Sequence, residues 1–552
     1  MRIVSLHSHP WLAVAALLLS TASLPATEKV VAFRNGGTGA WPDADPPLEW
    51  SVTKNVKWRW DGSVLGTTIA TPILVGGRVI TLARPMTIVA LDKDTGAELW
   101  RRERYDEQLD AAGEYAQKMH AALLRDGRIY DLLSILPGRK GGARLGHVTG
   151  PRKGLLAKTA RMPDADKAYF EGRVAAVEAL LADGEANRAT YEKELADLQA
   201  TVPQEKHAIR AGGGTTKSAP ASDGERIYAI FAPGLLVCCD LVGKPLWVHA
   251  MIGENGRQAR QQWGSKAEVP LCAPSTGSGQ ADGPWSPDGS AAASKVLCTW
   301  GDLLHCLDAA TGKVIWRRVM TGNHCAASPA LGAVDGVTYF MHCSGEVARL
   351  DDGKTVFTAA WGGRHRYWAT AVDAGGMTFH YVRGAVRLPA DTGGRPVQLW
   401  ELPEERLDGR KGDDWIIEGG HSYCAPVVHD GIVYFYETCG GRSSALEAET
   451  GKLIYGPIMK PDDGKALVLN GHKADASYAD LSLAGEHLIM FSVAGDSVVL
   501  KAGREFGIVR RNPMIGKVVS NNPIFEGRRM YVRTRWSLFC FEKGGVTCDD
   551  GG

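Results

Sequence analysis

The stretch IVALDKDTGAELW, residues 88–100, contains the pattern that decides the fold. It consists of a short apolar strand, an acidic turn that ends in Gly96, and a second strand that closes on Trp100. Gly96 can adopt the positive φ that a tight hairpin needs, and Asp92 can hydrogen-bond the backbone of the turn. Trp100 offers a large apolar face for packing. The stretch therefore predicts a β-hairpin whose aromatic end packs on a neighbouring unit.

This hairpin recurs along the chain. Close copies are LLVCCDLVGKPLW (235–247), HCLDAATGKVIW (305–316) and SALEAETGKLIY (444–455), and looser copies are RLDDGKTVF (349–357) and LPADTGGRPVQLW (388–400). A second signature, a small residue with proline and then a Gly-led strand, precedes each hairpin. Its equivalent positions are Pro72, Pro220, Pro274, Pro329, Ala371, Pro426, Leu481 and Pro523, which from Pro220 onward recur every 42 to 55 residues. Eight copies of a four-stranded antiparallel unit predict an all-β fold, an eight-bladed β-propeller.

The two ends of the chain are predicted to meet in the last blade. The eighth copy ends at WSLFCFE (536–542) without an outer strand, whereas NVKWRW (55–60) has the form of an outer strand without a blade. Pairing the two would remove two exposed sheet edges. We therefore expect residues 27–100 to supply this closing strand and blade 1, residues 216–543 to form blades 2–8, and residues 544–552 to form a tail.

The N-terminus has the features of an export signal. Arg2 precedes the apolar run WLAVAALLLS (11–20), and SLPA ends in the small residue Ala26. This predicts a cleaved signal peptide over residues 1–26, no lipid-anchoring cysteine, no transmembrane segment, and a periplasmic or secreted protein. The net charge of +1 gives no argument for a nucleic-acid partner.

Residues 101–215 interrupt the repeat between blades 1 and 2. Residues 114–133 have a helical composition, and a heptad-like seam runs from Phe170 to Leu198. Both predict an antiparallel helical hairpin. Between them, residues 132–162 contain seven basic side chains and no acidic one, which suits either an anionic ligand or a solvated loop; the basic residues are Arg139, Lys140, Arg144, Arg152, Lys153, Lys158 and Arg161.

The L-D-x-x-T-G-x-x-x-W pattern resembles that of the PQQ-like repeat β-propellers, clearest at Leu91 to Trp100 and at Leu307 to Trp316. That family includes pyrroloquinoline-quinone (PQQ) alcohol dehydrogenases and the propeller lipoprotein of outer-membrane assembly. The resemblance implies the fold but not a function, because catalytic and non-catalytic members share the repeat.

The adjacent residues Cys238 and Cys239 bear on that choice. In the quinone dehydrogenases, the resemblance implies, a vicinal disulfide covers the cofactor. Here the pair aligns with Ala90 and Leu91 in mid-strand, where consecutive side chains point to opposite faces. We therefore expect two separately packed thiols. The chain has 11 cysteines, and their positions would also permit disulfides between Cys298 and Cys306 and between Cys540 and Cys548.

The loops that enter the innermost strands predict a binding site at one end of the central channel. Four successive loops carry a Gly-led histidine, and neighbouring loops add polar and cationic residues. This candidate set is His324, His365, His421, His472, Lys217, Arg366, Tyr423 and Asn521. Imidazoles on adjacent blades could converge on a polar ligand or on a metal held by His324 and His421; alternatively, the rings face water or the backbone.

A quinone site is the alternative hypothesis. The resemblance implies Ca²⁺ held by Glu, Asn and Asp, a catalytic Asp and a Trp beneath the PQQ. The loops contain Asn323, Glu418, Asp475, Asn521 and Trp263, but none stands in a motif that matches those enzymes, and there is no C-x-x-C-H haem sequence. A polysaccharide hydrolase is a third class, without an identifiable carboxylate pair. The sequence favours a non-catalytic protein that binds a polar small molecule, a glycan or an envelope protein partner.

Overall fold

The computed structural model describes most of the chain between Val30 and Gly544. The described residues are 30–63, 70–136, 159–160, 162–201, 218–257, 271–274, 293–320, 329–342, 345–361, 371–373, 375, 377–381, 383–402, 424–437, 442–458, 480–492, 495–516 and 522–544.

The described residues form 34 strands and four α-helices, with two short 3₁₀ turns at Phe33–Asn35 and Glu254–Gly256. The strands are β1 (Val30–Val31), β2 (Ala40–Trp41), β3 (Val56–Asp61), β4 (Ile73–Val75), β5 (Arg78–Ala83), β6 (Thr87–Asp92), β7 (Glu98–Arg102), β8 (Ala221–Ser222), β9 (Arg226–Phe231), β10 (Leu235–Asp240), β11 (Pro245–Ala250), β12 (Leu271–Pro274), β13 (Ala293–Trp300), β14 (Leu303–Asp308), β15 (Val314–Val319), β16 (Ala330–Val334), β17 (Val337–Met341), β18 (Glu346–Arg349), β19 (Thr355–Thr358), β20 (Ala371–Val372), β21 (Thr378–Tyr381), β22 (Gly384–Arg387), β23 (Val397–Glu401), β24 (Val427–His429), β25 (Ile432–Glu437), β26 (Arg442–Glu447), β27 (Leu453–Ile458), β28 (Ser482–Ala484), β29 (His487–Phe491), β30 (Ser497–Lys501), β31 (Ile508–Asn512), β32 (Ile524–Glu526), β33 (Arg529–Arg533) and β34 (Ser537–Glu542). The helices are α1 (Asp106–Ala112), α2 (Glu114–Ile135), α3 (Asp164–Ala186) and α4 (Arg188–Ala200).

The strands form eight separate sheets, which confirms the predicted eight-bladed propeller. Blades 1 to 7 are built from β4–β7, β8–β11, β12–β15, β16–β19, β20–β23, β24–β27 and β28–β31, and blade 8 from β32–β34 with β3. In a four-stranded antiparallel blade, the first strand begins and the fourth ends at the same end of the propeller. We call that end the loop face, because the connections between blades lie there, and the opposite end the turn face.

The ring closes as predicted, because β3 pairs antiparallel with β34 as the outer strand of blade 8. Trp58 of β3 then packs on the blade 1 turn, where its indole N–H donates to the Lys93 carbonyl at 2.9 Å. A Cβ on Gly96 would lie 2.6 Å from Trp58 Cδ2, and Gly96 has a φ of +73°. Both the turn and the close approach therefore require glycine there.

The same contact joins other neighbouring blades. The indole N–H of Trp100 donates to the Leu241 carbonyl at 3.1 Å, and that of Trp316 to the Leu350 carbonyl at 2.7 Å. Within the turns the acid bonds its own backbone, because Asp92 Oδ1 accepts from the N–H and the hydroxyl of Thr95, each at 2.8 Å. These bonds lower the pKa of Asp92. The recurring turn acids therefore shape the hairpins, as the repeat indicated.

The cysteines of β10 pack separately, as expected. Cys238 and Cys239 are buried free thiols with a register shift between them. Cys238 lies among residues that include Trp247, whereas Cys239 lies in a different cluster with Tyr105. The disulfide that the spacing would permit between Cys298 and Cys306 is absent, because both are free and their side chains lie in different clusters. Cys548 lies outside the described residues.

The insertion is helical, as predicted, and packs on the propeller. Leu195 of α4 lies in a cluster with Ile129 and Leu132 of α2, and Gly184 of α3 approaches the Ile135 carbonyl closely. Two details differ from the sequence-based expectation. The seam is broken at Asn187 into α3 and α4, and an additional helix, α1, packs on β11. Residues 137–158, with most of the basic side chains, lie outside the described residues.

Candidate functional site

The central channel is occupied by a segment of the chain itself. Residues 30–41, which we call the finger, precede the first blade. Its strand β1 runs antiparallel to β4 of blade 1, and β2 runs parallel to β28 of blade 7. Because both partners are innermost strands that start at the loop face, the finger rises from the turn face and returns to it. Asp45 is back at the turn face, where its N–H donates to Gly527 at 2.8 Å.

The tip of the finger touches further blades. Gly37 lies against Ala330 of blade 4 and Val372 of blade 5, and the Val372 N–H donates to the Gly37 carbonyl at 3.3 Å. Arg34 donates from Nη2 to the Pro426 carbonyl of blade 6 at 2.6 Å. With β1 also beside β32 of blade 8, the finger contacts the inner strands of six blades. It therefore lies on the channel axis, with its tip toward the loop face.

Arg34 is the only charged residue of the finger, and its charge is paired inside the propeller. Its Nη1 lies 3.2 Å from Asp480 Oδ2, and the Arg34 side chain is 2% exposed. Arg34 has a φ of 51°, and four of the next five residues also have positive φ, which is why the tip is rich in glycine. A Cβ on Gly39 would lie 2.7 Å from Arg34 Nη2, so glycine makes room for the guanidinium.

Asp480 also joins the blades to one another. Its Oδ1 accepts from the Ala425 N–H of blade 6 at 2.7 Å, and its Oδ2 accepts from Asn522 Nδ2 of blade 8 at 2.8 Å. The Asp480 N–H donates to Asn522 Oδ1 at 2.7 Å, and the Asn522 N–H donates to Thr71 Oγ1 of blade 1 at 2.9 Å. We call these residues, with Arg34, the buried circuit. It fixes the points at which blades 6, 7, 8 and 1 begin.

The candidate site residues from the sequence all belong to loops outside the described residues, so their convergence stays a prediction. They are His324, His365, His421, His472, Lys217, Arg366, Tyr423 and Asn521. Two of them adjoin the buried circuit along the chain: Tyr423 is two residues before Ala425, and Asn521 directly precedes Asn522. The buried circuit therefore anchors the exits of the loops that carry His421, His472 and Asn521.

Sequence reasoning missed Arg34, Asp480 and Asn522. The available signal was FRNGGTG (33–39), a Gly-rich stretch with one charge that stands before the first repeat and matches none of them.

A metal site is not formed by the described part of the chain. Within it, no group of three or more His, Cys, Asp or Glu side chains is arranged to hold a metal ion. Both oxygens of Asp480 accept hydrogen bonds, from Ala425 and Asn522, and Oδ2 also forms an ion pair with Arg34. The residues that the sequence offered for a calcium and quinone site lie outside the described residues, so that alternative stays a prediction; they are Asn323, Glu418, Asp475, Asn521 and Trp263.

Comparison with known proteins agrees with the repeat. The sequence model of the family described as outer membrane protein assembly factor BamB matches residues 24–146. These residues include blade 1, the first of the eight blades. The chain is an eight-bladed β-propeller whose first blade matches this family model. No curated protein matches it in sequence.

Solved structures that are similar to this propeller share little sequence with it. BamB from Moraxella catarrhalis is 13% identical, with a TM-score of 0.38, covering 61% of this chain and 84% of its own. The quinohemoprotein alcohol dehydrogenase ADHIIG from Pseudomonas putida HK5 is 12% identical, with a TM-score of 0.39, covering 93% and 80%. Saccharomyces cerevisiae Sqt1 is 9% identical, with a TM-score of 0.39, covering 59% and 83%. None of the described helices of this propeller is long and apolar enough to cross a membrane.

Proposed function

We propose that this propeller is an exported, non-catalytic binding protein whose loop face receives a polar ligand or a protein partner. The observation that carries the proposal is the finger, which occupies the channel axis and is neutralised by the Arg34–Asp480 pair. A ligand is therefore expected above the finger tip, among the loops, and not within the channel.

The buried circuit supports binding at the loop face because it fixes the ends of the loops. A binding site gains affinity when its groups are held in place before the ligand arrives. Asp480, Asn522 and Thr71 hold the loop exits through bonds of 2.7 to 2.9 Å. Two of the predicted histidines, His421 and His472, stand on loops that the buried circuit anchors, and neutral imidazoles suit a polar, uncharged or anionic ligand.

The helical insertion supports a protein partner, because it adds surface at the same end. It starts and ends in the connection between blades 1 and 2, which lies at the loop face. Tyr169 of α3 is 2.8 Å from Ser537 Oγ of blade 8, and Arg84 of blade 1 pairs with Asp131 of α2 at 2.8 Å. These contacts hold the helices against the blades, next to the loops.

A histidine substitution tests the ligand site. Replacing both His324 and His421 by Ala should abolish binding of oligosaccharides on an array without changing the melting temperature. His429→Ala is the matched control, because His429 ends β24 at the turn face. Binding by the double variant equal to that of the unmodified protein would contradict the proposed ligand site.

Site-specific cross-linking tests the partner face. A photo-cross-linker at the exposed Gln117 of α2 should give a defined protein adduct in the exporting host, and one at the exposed Lys452 of the turn face should not. Adducts at Lys452 alone would place the partner at the turn face and would contradict the proposed partner surface.

A further inference from the structure

The outer junction between blades 2 and 3, which we call the groove, contains two histidines that contact each other. His249 of β11 and His305 of β14 are joined by a hydrogen bond from one ring to the other, with 2.9 Å between Nε2 of His249 and Nδ1 of His305. His305 is completely buried, and His249 is partly exposed at the outer strand. This bond therefore forms the floor of the groove.

One wall of the groove is the outer strand of blade 3. In its register, Val314, Arg317 and Val319 lie opposite Leu307, His305 and Leu303. Directly opposed residues point to the same face of a sheet, and Leu303 and Leu307 pack with Trp247 of blade 2. The three wall side chains therefore face blade 2. Val314 is 41% exposed and Val319 is 48% exposed.

Arg317 stands close to both histidines. Burial, with a smaller contribution from the charge of Arg317, lowers the pKa of His249 to about 4. The floor is therefore neutral at ordinary pH, and Arg317 carries the charge of the groove. Within the described chain, no carboxylate forms an ion pair with Arg317.

The equivalent arginine of blade 1 has two acidic partners that Arg317 lacks. The outer strands ELWRRE (98–103) and VIWRRV (314–319) have the same register on their blades, so Arg101 corresponds to Arg317. Arg101 Nη2 lies 2.9 Å from Glu98 Oε2, and Arg101 Nη1 lies 3.6 Å from Glu103 Oε1. Blade 3 has valine in place of both glutamates, which leaves the cation between two exposed aliphatic side chains.

We propose that this groove binds a carboxylate side chain carried by an extended, aliphatic segment of a partner protein. The carboxylate takes the place of the blade 1 glutamates on Arg317, where a guanidinium can bind both of its oxygens. In an extended strand, residues two apart share a face, so aliphatic residues two positions before and after the acid would pack on Val314 and Val319. This inference does not depend on the loop-face site, because it concerns the side of the propeller.

A peptide titration with the complete folded chain tests the groove. The probe is the capped pentapeptide Val-Thr-Glu-Thr-Val, its control is the same peptide with Gln for Glu, and saturation-transfer NMR measures the dissociation constants. We expect the Glu peptide to bind. Arg317→Ala should weaken binding about tenfold or more, because a hydrogen-bonded ion pair is lost.

Two further variants keep the test independent of general effects on folding. The double substitution Val314→Glu and Val319→Glu recreates the blade 1 arrangement and should prevent binding while the melting temperature is maintained. Arg101→Ala is the matched control and should leave binding unchanged. Equal binding of both peptides, no binding of the Glu peptide, or an Arg317→Ala protein that binds normally would overturn the proposal.

Discussion

At the scale of single residues, the Arg34–Asp480 pair explains how a charge can be placed on the axis of a propeller. A buried ion is tolerated when it is paired and its remaining atoms are hydrogen-bonded. Asp480 accepts hydrogen bonds from Ala425 and Asn522 and forms an ion pair with Arg34, so it contacts the finger and two blades. The ion pair therefore holds the finger in one position on the channel axis.

Removing one member of this pair should be costly. Asp480→Ala leaves Arg34 buried without its counter-charge, and we expect the free energy of unfolding in urea to fall by about 3–5 kcal/mol. The double variant Arg34→Met with Asp480→Ala should recover much of that loss. Glu49→Ala, which breaks exposed pairs with Lys54 and Arg510, should cost less than about 1 kcal/mol. Equal losses of unfolding free energy for Asp480→Ala and Glu49→Ala would contradict a stabilising role for the buried ion pair.

A buried histidine of blade 5 should make the protein sensitive to acid. Burial lowers the pKa of His380 to about 4 in the folded protein, whereas an unfolded histidine titrates near 6.5. Below about pH 6.5 the unfolded chain therefore binds this proton first, and the unfolding free energy falls until about pH 4. Between pH 6.5 and 4.5 this histidine contributes a loss of about 2–3 kcal/mol. His380→Met should make the pH dependence shallower by that amount in urea titrations, and an unchanged slope would refute the assignment.

At the scale of elements, the turn glycines should be sensitive wherever an indole covers them. Gly96→Ala puts a Cβ 2.6 Å from Trp58 at a φ of +73°, so we expect a loss of about 1–3 kcal/mol in unfolding free energy. Gly77 is the matched control, since a Cβ there meets nothing within 4 Å, and Gly77→Ala should be nearly neutral. Comparable losses at both positions would show that the indole contact is unimportant for ring closure.

Helix α3 should be released from the blades by a single substitution. Asp166 accepts from Ser51 Oγ at 2.7 Å and from Thr53 Oγ1 at 2.6 Å, which joins the start of α3 to the segment before β3. Asp166→Ala should raise amide hydrogen exchange in α3 while the exchange of blades 2 to 6 stays constant. Glu185→Ala is the control, because Glu185 lies in the same helix and forms an exposed ion pair with Arg188 of α4. Faster exchange throughout the propeller would mean that Asp166 supports the whole fold.

The sequence predicted the features that repeat and missed those that occur once. The hairpins, the Trp contacts and the closing strand β3 follow from a local pattern seen several times. The finger follows from no repeat, and its Arg34 bonds Pro426, 392 positions away in the chain. The break at Asn187 was missed because the apolar seam continues across it. The histidine set lies in loops outside the described residues, so it remains a prediction from sequence alone.

At the scale of the whole molecule, the fold consists of a ring closed at its outer edge by β3 and filled along its axis by the finger. Both devices come from the segment before blade 1, so residues 30–61 connect blades that are far apart in the chain. The groove between blades 2 and 3 and the loop face are then two separate surfaces of one closed ring. We attribute function to these surfaces and not to the channel.

Metal and quinone content is the most direct test of that claim. The purified, folded protein is offered Ca²⁺ and PQQ, dialysed, and examined by elemental mass spectrometry and by absorption spectroscopy. Because the finger occupies the axis and Asp480 forms an ion pair with Arg34, we predict neither stoichiometric calcium nor a quinone band. One calcium per chain with a bound quinone would contradict the account and would establish the channel end as a quinoprotein site.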